Sequence, residues 1–221
     1  MLIGGERVDA ASGEHFESFN PFTGKPWALV PRGTAADVDR AVAAARAAFH
    51  DPAWRNLTAT QRGVLLHRLG DLVAAHADEL AEFETRDNGK LINEMSAQLH
   101  YLPQWFHYFG GLADKIEGRV IPIDRPGMFN FTLEEPLGVV AAITPWNSPL
   151  MLGGWKLAPA LAAGNTFGWK PSEHSSVSAL EFARLIADAG FPPGVVNIVT
   201  GFGNEIGDAL VGHKHIAKVA F

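Results

Sequence analysis

The 221-residue sequence contains no cysteine. A chain without a thiol forms no disulfide, no thiolate-ligated metal site and no covalent intermediate on a cysteine. The nine histidines do not indicate a metal site either, because none falls in an HExxH pattern. Only His213 and His215 are closely spaced, and they lie in a predicted loop. We therefore expect no bound metal.

The chain also lacks an excess of basic residues and any long apolar run. Its 18 Lys and Arg against 24 Asp and Glu give a net charge of −6 and a pI near 5.8. That balance argues against binding to nucleic acid or to an anionic membrane. No run approaches the roughly 20 apolar residues of a membrane-spanning helix, and no basic segment with an apolar core begins the chain. We expect a cytoplasmic protein.

The composition that is present, 47% hydrophobic and 19% charged residues, is typical of a globular chain of one large or two modest domains. Its most informative part runs over residues 134–173. Residues 139–143 are all apolar and predict a strand buried on both faces. Two prolines in residues 144–149 end this strand. A helix over 150–163 and a second buried strand over 166–170 are predicted to follow.

Three polar residues follow the ends of these two predicted strands. In an open parallel sheet, ligands bind where the carboxyl ends of the strands meet the loops, which places Asn147, Lys170 and Glu173 on the ligand side. Plainer roles remain open for all three. Asn147 is suited to bond backbone groups of its own turn. Lys170 could be solvated, and Glu173 could stabilise a helix N-terminus by about 0.3–1 kcal/mol.

The remaining elements are predicted from periodicity and from Gly, Pro and capping residues. The sequence predicts short strands over 1–33, helices capped by Thr34 with Asp37 and by Thr58 with Gln61, a break at 87–90, a helix over 93–115, a hairpin of 119–124 with 128–135, a helix over 175–189, a strand over 195–199, a helix over 204–211 and a strand over 216–221. The alternation of strands and helices after residue 139 predicts a parallel sheet with right-handed crossovers.

Two of these elements carry exposed or stacked apolar residues. The helix over 93–115 has an aromatic stripe at helical spacing, which is more often core than binding site; it comprises Tyr101, Trp105, Tyr108, Phe109 and Leu112. The hairpin places Phe129, Phe131 and Leu133 on one face, and an exposed apolar face needs a partner. We hypothesise that the hairpin mediates self-association.

Several motifs in this order resemble the NAD(P)-dependent aldehyde dehydrogenase superfamily. They are Pro-Trp-Asn at 145–147, Trp-Lys-Leu at 155–157, Gly-Asn at 164–165, Lys-Pro-Ser-Glu at 170–173, the segment 190–197 and Gly-Phe-Gly at 201–203. The resemblance implies an α/β fold with a Rossmann-type parallel sheet, N-terminal helices and a hairpin of the oligomerisation domain. It divides the chain into a helical part of the cofactor domain (1–118), the oligomerisation hairpin (119–136) and an incomplete cofactor-binding core (137–221), without a catalytic domain.

The same resemblance assigns residues to roles. Asn147 would donate to the aldehyde oxygen, and Lys156 would relay protons, although a structural salt bridge is as good a reading of Lys156. The cofactor-binding residues would be Ile143, Thr144, Pro145, Trp146, Lys170, Ser172, Glu173, Gly203 and Gly207. The substrate would meet Tyr101, Ser148 and Trp155, and Ser148 with Gly153 and Gly154 suggests a roomy tunnel. A carboxylate at Glu173 repels a 2′-phosphate, so NAD is expected over NADP.

The family's general base and nucleophilic cysteine have no match in these residues. We therefore expect the N-terminal, cofactor-binding part of an enzyme that oxidises an aldehyde to a carboxylic acid with NAD, inactive alone and with its sheet interrupted at Phe221. The partners would be a small aldehyde and further copies of the chain, bound through residues 119–136. The alternative is a non-catalytic fragment that binds a nucleotide or a subunit.

Overall fold

The computed structural model describes residues 1–221. The strands are β1 Leu2–Ile3, β2 Glu6–Arg7, β3 His15–Asn20, β4 Lys25–Pro31, β5 Val139–Thr144, β6 Thr166–Pro171, β7 Val196–Ile198 and β8 Ile216–Ala220. The α-helices are α1 Ala35–His50, α2 Pro52–Arg55, α3 Ala59–Ala75, α4 Ala77–Asn88, α5 Ile92–Tyr101, α6 Pro103–Leu112, α7 Pro149–Ala162, α8 Val177–Asp188 and α9 Gly203–Val211. Short 3₁₀ turns cover Ala113–Lys115 and Glu173–Ser175.

The central sheet has six strands in the order β2-β1-β7-β6-β5-β8. The four strands β5 to β8 are mutually parallel, which confirms the predicted α/β sheet. The antiparallel strands β1 and β2 lie at one edge of the sheet, and β1 joins it by the pairing of Leu2 with Ile198. Both strands are too short for an alternation of apolar and polar residues to predict them. Strands β3 and β4 form a separate hairpin.

Strand β5 is buried on both faces, as its apolar composition predicts. Val140 and Ala142 belong to a core of 36 buried residues that includes residues of α3 to α8. Ala141 instead contributes to a smaller core of 10 residues formed with β1, α1 and α9. Successive side chains of a strand point to opposite faces, so the two cores lie on opposite sides of this strand.

Helix boundaries agree with the capping signals. The Thr34 backbone N–H donates to Asp37 at 2.9 Å, and the Gln61 backbone N–H donates to the Thr58 hydroxyl at 3.2 Å. Gly89 ends α4 with a φ of 74°, a left-handed conformation that glycine adopts without steric cost. The expected break at 87–90 and the two N-terminal caps are therefore confirmed.

The single helix expected over 93–115 is wrong in two respects. Pro103, which has no backbone N–H, begins a new helix, so the segment consists of α5 and α6. The aromatic stripe is not core either, because the side chains of Tyr101 and Tyr108 are 49% and 61% exposed. The neighbouring apolar face is the buried one, with Met95, Leu99, Leu102 and Phe106.

Residues 119–136 form an extended ribbon with less regular pairing than the predicted hairpin. Val120 and Phe131 make one antiparallel bridge, and the Ile121 N–H donates to the Asn130 carbonyl at 2.9 Å. Phe129 and Phe131 lie on the same side, with ring centroids 5.5 Å apart. No core element covers this ribbon, so its apolar side chains remain exposed. Among the helices, none is long and apolar enough to cross a membrane.

Candidate functional site

The candidate site lies at the carboxyl ends of β5 and β6, which stand side by side. Ile143 pairs with Lys170 and Thr144 with Pro171, so the loops after both strands leave the sheet at the same level. Strand β7 runs parallel to β6 and sends its own following loop, residues 199–202, to this edge. This is the edge at which ligands bind to open parallel sheets.

A lysine and a carboxylate form an ion pair at the end of β6. Lys170 is buried, and its Nζ donates to Glu173 Oε2 at 3.1 Å and to the Pro171 carbonyl at 3.1 Å. The backbone N–H of Gly203, at the start of α9, faces the same carboxylate. The structure therefore brings Lys170, Glu173 and Gly203 together, as expected, from the end of β6, the turn after it and the start of α9.

The Glu173 carboxyl group stays ionised. Partial burial raises its pKa, but its own backbone N–H, Lys170 and the Gly203 N–H outweigh that effect, and the net pKa is lowered. Its side chain is 25% exposed, so part of the group is open to a ligand. An ionised, oriented carboxylate at this place can accept hydrogen bonds from hydroxyl groups such as those of a sugar.

The remaining cofactor candidates lie around this pair. Ser172 shapes the loop, since its hydroxyl accepts from the His174 N–H at 3.2 Å and its carbonyl accepts from the Ser176 hydroxyl at 2.8 Å. Gly207 lies one turn further along α9 and is half-buried. Trp146 is 50% exposed and, with Glu173, borders a cavity of about 460 Å³.

Two hydrogen bonds support the turn of residues 145–148. Before the turn, the buried Trp169 donates from Nε1 to the Thr144 hydroxyl at 2.9 Å. Within it, the Ser148 hydroxyl donates to the Asn147 carbonyl at 2.7 Å. The Asn147 side chain is exposed and makes no hydrogen bond within the protein, so it does not bond its own turn. Its amide is available to a ligand.

The proposed substrate residues do not all share one surface. Trp155 packs against Trp105, with ring centroids 5.3 Å apart and the ring planes tilted by 45°. Trp105 in turn borders a surface cavity of about 390 Å³ with Tyr101 and Tyr108. The structure therefore joins Trp155 and Tyr101 in one aromatic group. Ser148 is buried, and its hydroxyl is engaged with the Asn147 carbonyl.

Lys156 makes no salt bridge. Its Nζ lies 3.4 Å from the Leu152 carbonyl one turn earlier, and no carboxylate is within 4.0 Å. Burial lowers its pKa. Within these 221 residues the structure shows no carboxylate partner for the structural salt bridge that was the alternative for Lys156.

The two glycines of α7 do not provide room for a substrate. A Cβ on Gly153 would lie 2.3 Å from the Trp169 ring, and a Cβ on Gly154 would lie 2.5 Å from Leu102. Both glycines permit close packing of buried side chains against the helix. The expectation of a roomy tunnel from this pair is therefore wrong.

Two buried carboxyl groups next to the site were missed. Glu84 accepts a hydrogen bond from the Leu150 N–H at 2.8 Å, and Asp87 accepts one from the Val177 N–H at 2.7 Å. Burial raises their pKa values to about 7 and about 6. Each carboxyl thus supports the first turn of a helix that follows a strand of the parallel sheet.

A signal for these two acids was present in the sequence. The buried positions of α4 recur at helical spacing, and the apolar positions among them are Ala77, Leu80 and Ala81. Glu84 and Asp87 continue the same stripe, where apolar residues would otherwise be expected. A charge on the buried stripe of a helix indicates a partnered or functional group rather than a solvated face.

These features define an α/β protein with a polar candidate site at the carboxyl edge of its parallel sheet, and comparison with known proteins specifies the family. The family model described as "Aldehyde dehydrogenase family" matches residues 8–221. The chain belongs to the aldehyde dehydrogenase family.

Individual relatives agree along the whole chain. It is 51% identical to (Z)-2-((N-methylformamido)methylene)-5-hydroxybutyrolactone dehydrogenase of Acinetobacter baylyi, with 100% of this chain and 45% of that protein covered. It is 47% identical to retinaldehyde dehydrogenase 3 of Mus musculus, again with 100% of this chain covered and 43% of the relative. The chain thus spans less than half the length of these relatives.

Solved structures of the family have the same fold. An NAD⁺ complex of aldehyde dehydrogenase from Bacillus cereus superposes with a TM-score of 0.97 at 43% identity, covering 100% of this chain and 45% of the other. Betaine aldehyde dehydrogenase from Staphylococcus aureus in complex with NAD⁺ gives a TM-score of 0.96 at 38% identity, covering 99% and 43%. The predicted family and fold are confirmed.

Proposed function

We propose that these residues form the cofactor-binding part of an NAD-dependent enzyme that oxidises an aldehyde to a carboxylic acid. The observation that carries the proposal is the ion pair of Lys170 with Glu173, held beside the Gly203 N–H at the end of β6. The NAD⁺ complexes of two structural relatives support a nicotinamide cofactor.

The fixed pair fits the adenosine ribose of the cofactor. The ionised Glu173 carboxylate accepts hydrogen bonds from the ribose hydroxyl groups, and Lys170 holds that carboxylate in place. A phosphate at the 2′ position would bring a second negative charge close to Glu173, which costs binding energy. The pair therefore favours NAD over NADP. Ile143, Thr144, Pro145 and Trp146 line the neighbouring end of β5 and its turn.

Asn147 is assigned the role of hydrogen-bond donor to the aldehyde oxygen. A neutral amide donor suits the negative charge that develops on this oxygen, and one such donor contributes about 2.7–4 kcal/mol to a transition state. NAD, when bound, supplies the hydride acceptor. Lys156 is assigned the proton relay, and the aromatic group of Tyr101 and Trp155 the wall of the substrate site. The 221 residues contain no cysteine, so no nucleophilic step is assigned to them.

The same proposal covers the division of the chain and its self-association. Residues 1–118 and 137–221 contribute to the cofactor-binding domain, since β1 and β2 join the central sheet. Residues 119–136 form a separate ribbon whose exposed apolar side chains are suited to bind a second copy. A non-catalytic fragment that binds a nucleotide or a subunit is the second candidate, and the same ribbon favours it.

The variant Glu173→Gln tests the cofactor assignment. Replacing the carboxylate removes charge-assisted hydrogen bonds worth about 1.5–3 kcal/mol, so NAD should bind at least about tenfold more weakly. NADP should bind more tightly than it does to the unaltered chain, because the repulsion of its 2′-phosphate is removed. Calorimetric titration with both nucleotides measures the two changes.

A control for this variant is Glu82→Gln, which removes an exposed carboxylate of α4 that pairs only with Arg86 on its own helix. Its nucleotide affinities should equal those of the unaltered chain. Equal discrimination between NAD and NADP by the Glu173 variant and the control would refute the ribose-binding role.

A further inference from the structure

Helix α7 begins directly after the Asn147 turn, yet no local side chain caps it. Ser148 stands at the position where a serine hydroxyl would accept from the first backbone N–H groups. That hydroxyl donates instead to the Asn147 carbonyl at 2.7 Å. The first N–H groups of α7 therefore need an acceptor from another part of the chain.

Glu84 of α4 supplies this acceptor. Its Oε1 accepts from the Leu150 N–H at 2.8 Å, across 66 residues of sequence. Its other oxygen, Oε2, is buried without any hydrogen-bond partner. A buried carboxyl with one unpaired oxygen costs stability, and a serine cap would avoid that cost. The arrangement suggests that Glu84 does more than stabilise the helix.

We propose that Glu84 is a positioning residue for Asn147, because it ties the first turn of α7 to α4 and so fixes the direction of the turn that carries the amide. The proposal rests on the role of Asn147 given above. An oxyanion donor is effective only when it is held in place before the reaction, and displacements of about 1 Å can cost two orders of magnitude in rate. Trp169 fixes the start of the turn through Thr144, and Glu84 fixes its end.

The protonation state of Glu84 therefore affects how firmly the Asn147 turn is held. Burial raises its pKa to about 7, and the charged groups acting on it are Asp87, which raises the pKa further, and Lys90, which lowers it. A carboxylate accepts a stronger hydrogen bond from the Leu150 N–H than a protonated carboxyl does. The Asn147 turn is therefore held most firmly when Glu84 is ionised, above neutral pH.

Nuclear magnetic resonance of the full 221-residue chain tests the proposal without cofactor or aldehyde. The Leu150 backbone amide and the Asn147 side-chain amide are followed from about pH 5 to about pH 9. Both signals should shift in one transition with a midpoint near the pKa of Glu84, about 7. In Glu84→Gln, which keeps the size of the side chain, both transitions should disappear, and the Leu150 amide should exchange with solvent about tenfold faster.

Asp87→Asn is the matched control, because Asp87 is a second buried carboxyl of α4 that caps α8 instead of α7. In this variant the transitions of Leu150 and Asn147 should persist, with the midpoint moved to lower pH. The proposal is overturned if Asn147 does not follow the Leu150 transition, or if the Asn147 signal is the same in Glu84→Gln as in the unaltered chain. Failure of the proposed function would appear separately, as unchanged NAD affinity in Glu173→Gln.

Discussion

Substituting Gly153 by alanine should destabilise the chain, because the added Cβ has no free space. It would lie 2.3 Å from Cζ2 and 2.5 Å from Cη2 of Trp169. The ring cannot move away easily, since its Nε1 donates to the Thr144 hydroxyl at 2.9 Å and the ring also makes a T-shaped contact with Phe182. Either the helix shifts or the ring gives up its hydrogen bond.

The expected cost follows from these contacts. Overpacking of a core costs about 1–3 kcal/mol, and a weakened Trp169–Thr144 hydrogen bond adds about 1 kcal/mol. The higher helix propensity of alanine offsets about 1 kcal/mol of this cost. The net loss in the free energy of unfolding for Gly153→Ala is therefore about 1–3 kcal/mol.

Urea unfolding followed by circular dichroism measures this loss as a lower midpoint at an unchanged slope. Gly168→Ala is the control, because Gly168 is also buried, lies next to Trp169 in β6, and a Cβ there would meet no atom within 4 Å. The control should be as stable as the unaltered chain or slightly more stable. Equal stability of the two variants would refute the packing role of Gly153 and leave room for a tunnel at this place.

Two further predictions concern pH and self-association. Glu84 and Asp87 bind protons more tightly in the folded chain than in the unfolded chain, because burial raises their pKa values. The free energy of unfolding should therefore fall as pH rises from about 4 to about 7 and then level off. Glu84 should account for about 3 kcal/mol of this fall. Urea midpoints across this range measure the fall; Glu84→Gln should flatten it, and an equally steep fall in that variant would contradict the assignment. Replacing Phe129 and Phe131 together by serine should shift the chain toward monomer in analytical ultracentrifugation. An unaltered chain that is already monomeric at micromolar concentration would rule out the ribbon as an interface.

The parts of the site that were predictable from sequence are those fixed by local pattern and by a general rule of sheet topology. The apolar run of β5, the Pro-containing turn and the Gly164 stop each have one structural reading. The carboxyl-edge rule then places Lys170 and Asn147 near each other, although they are 23 residues apart in the chain (170 − 147).

The parts that were missed depend on which of several apolar faces the tertiary structure buries. Helices α5 and α6 carry two apolar stripes, and sequence periodicity alone does not decide between Phe106, which is buried, and Tyr108, which is exposed. The sequence predicted open space beside Gly153, because a glycine pattern does not reveal the Trp169 ring that packs against it. Helical spacing places Glu84 on the buried stripe of α4, but it does not identify the acceptor role, because that role depends on an amide 66 residues away.

The most direct test of the central assignment is the titration of the unaltered chain and Glu173→Gln with NAD. The account predicts that the unaltered chain binds NAD, that the variant binds it at least about tenfold more weakly, and that added aldehyde yields no NADH from these 221 residues alone. Equal NAD affinity of the two chains, or aldehyde-dependent NADH formation by the purified chain, would contradict it.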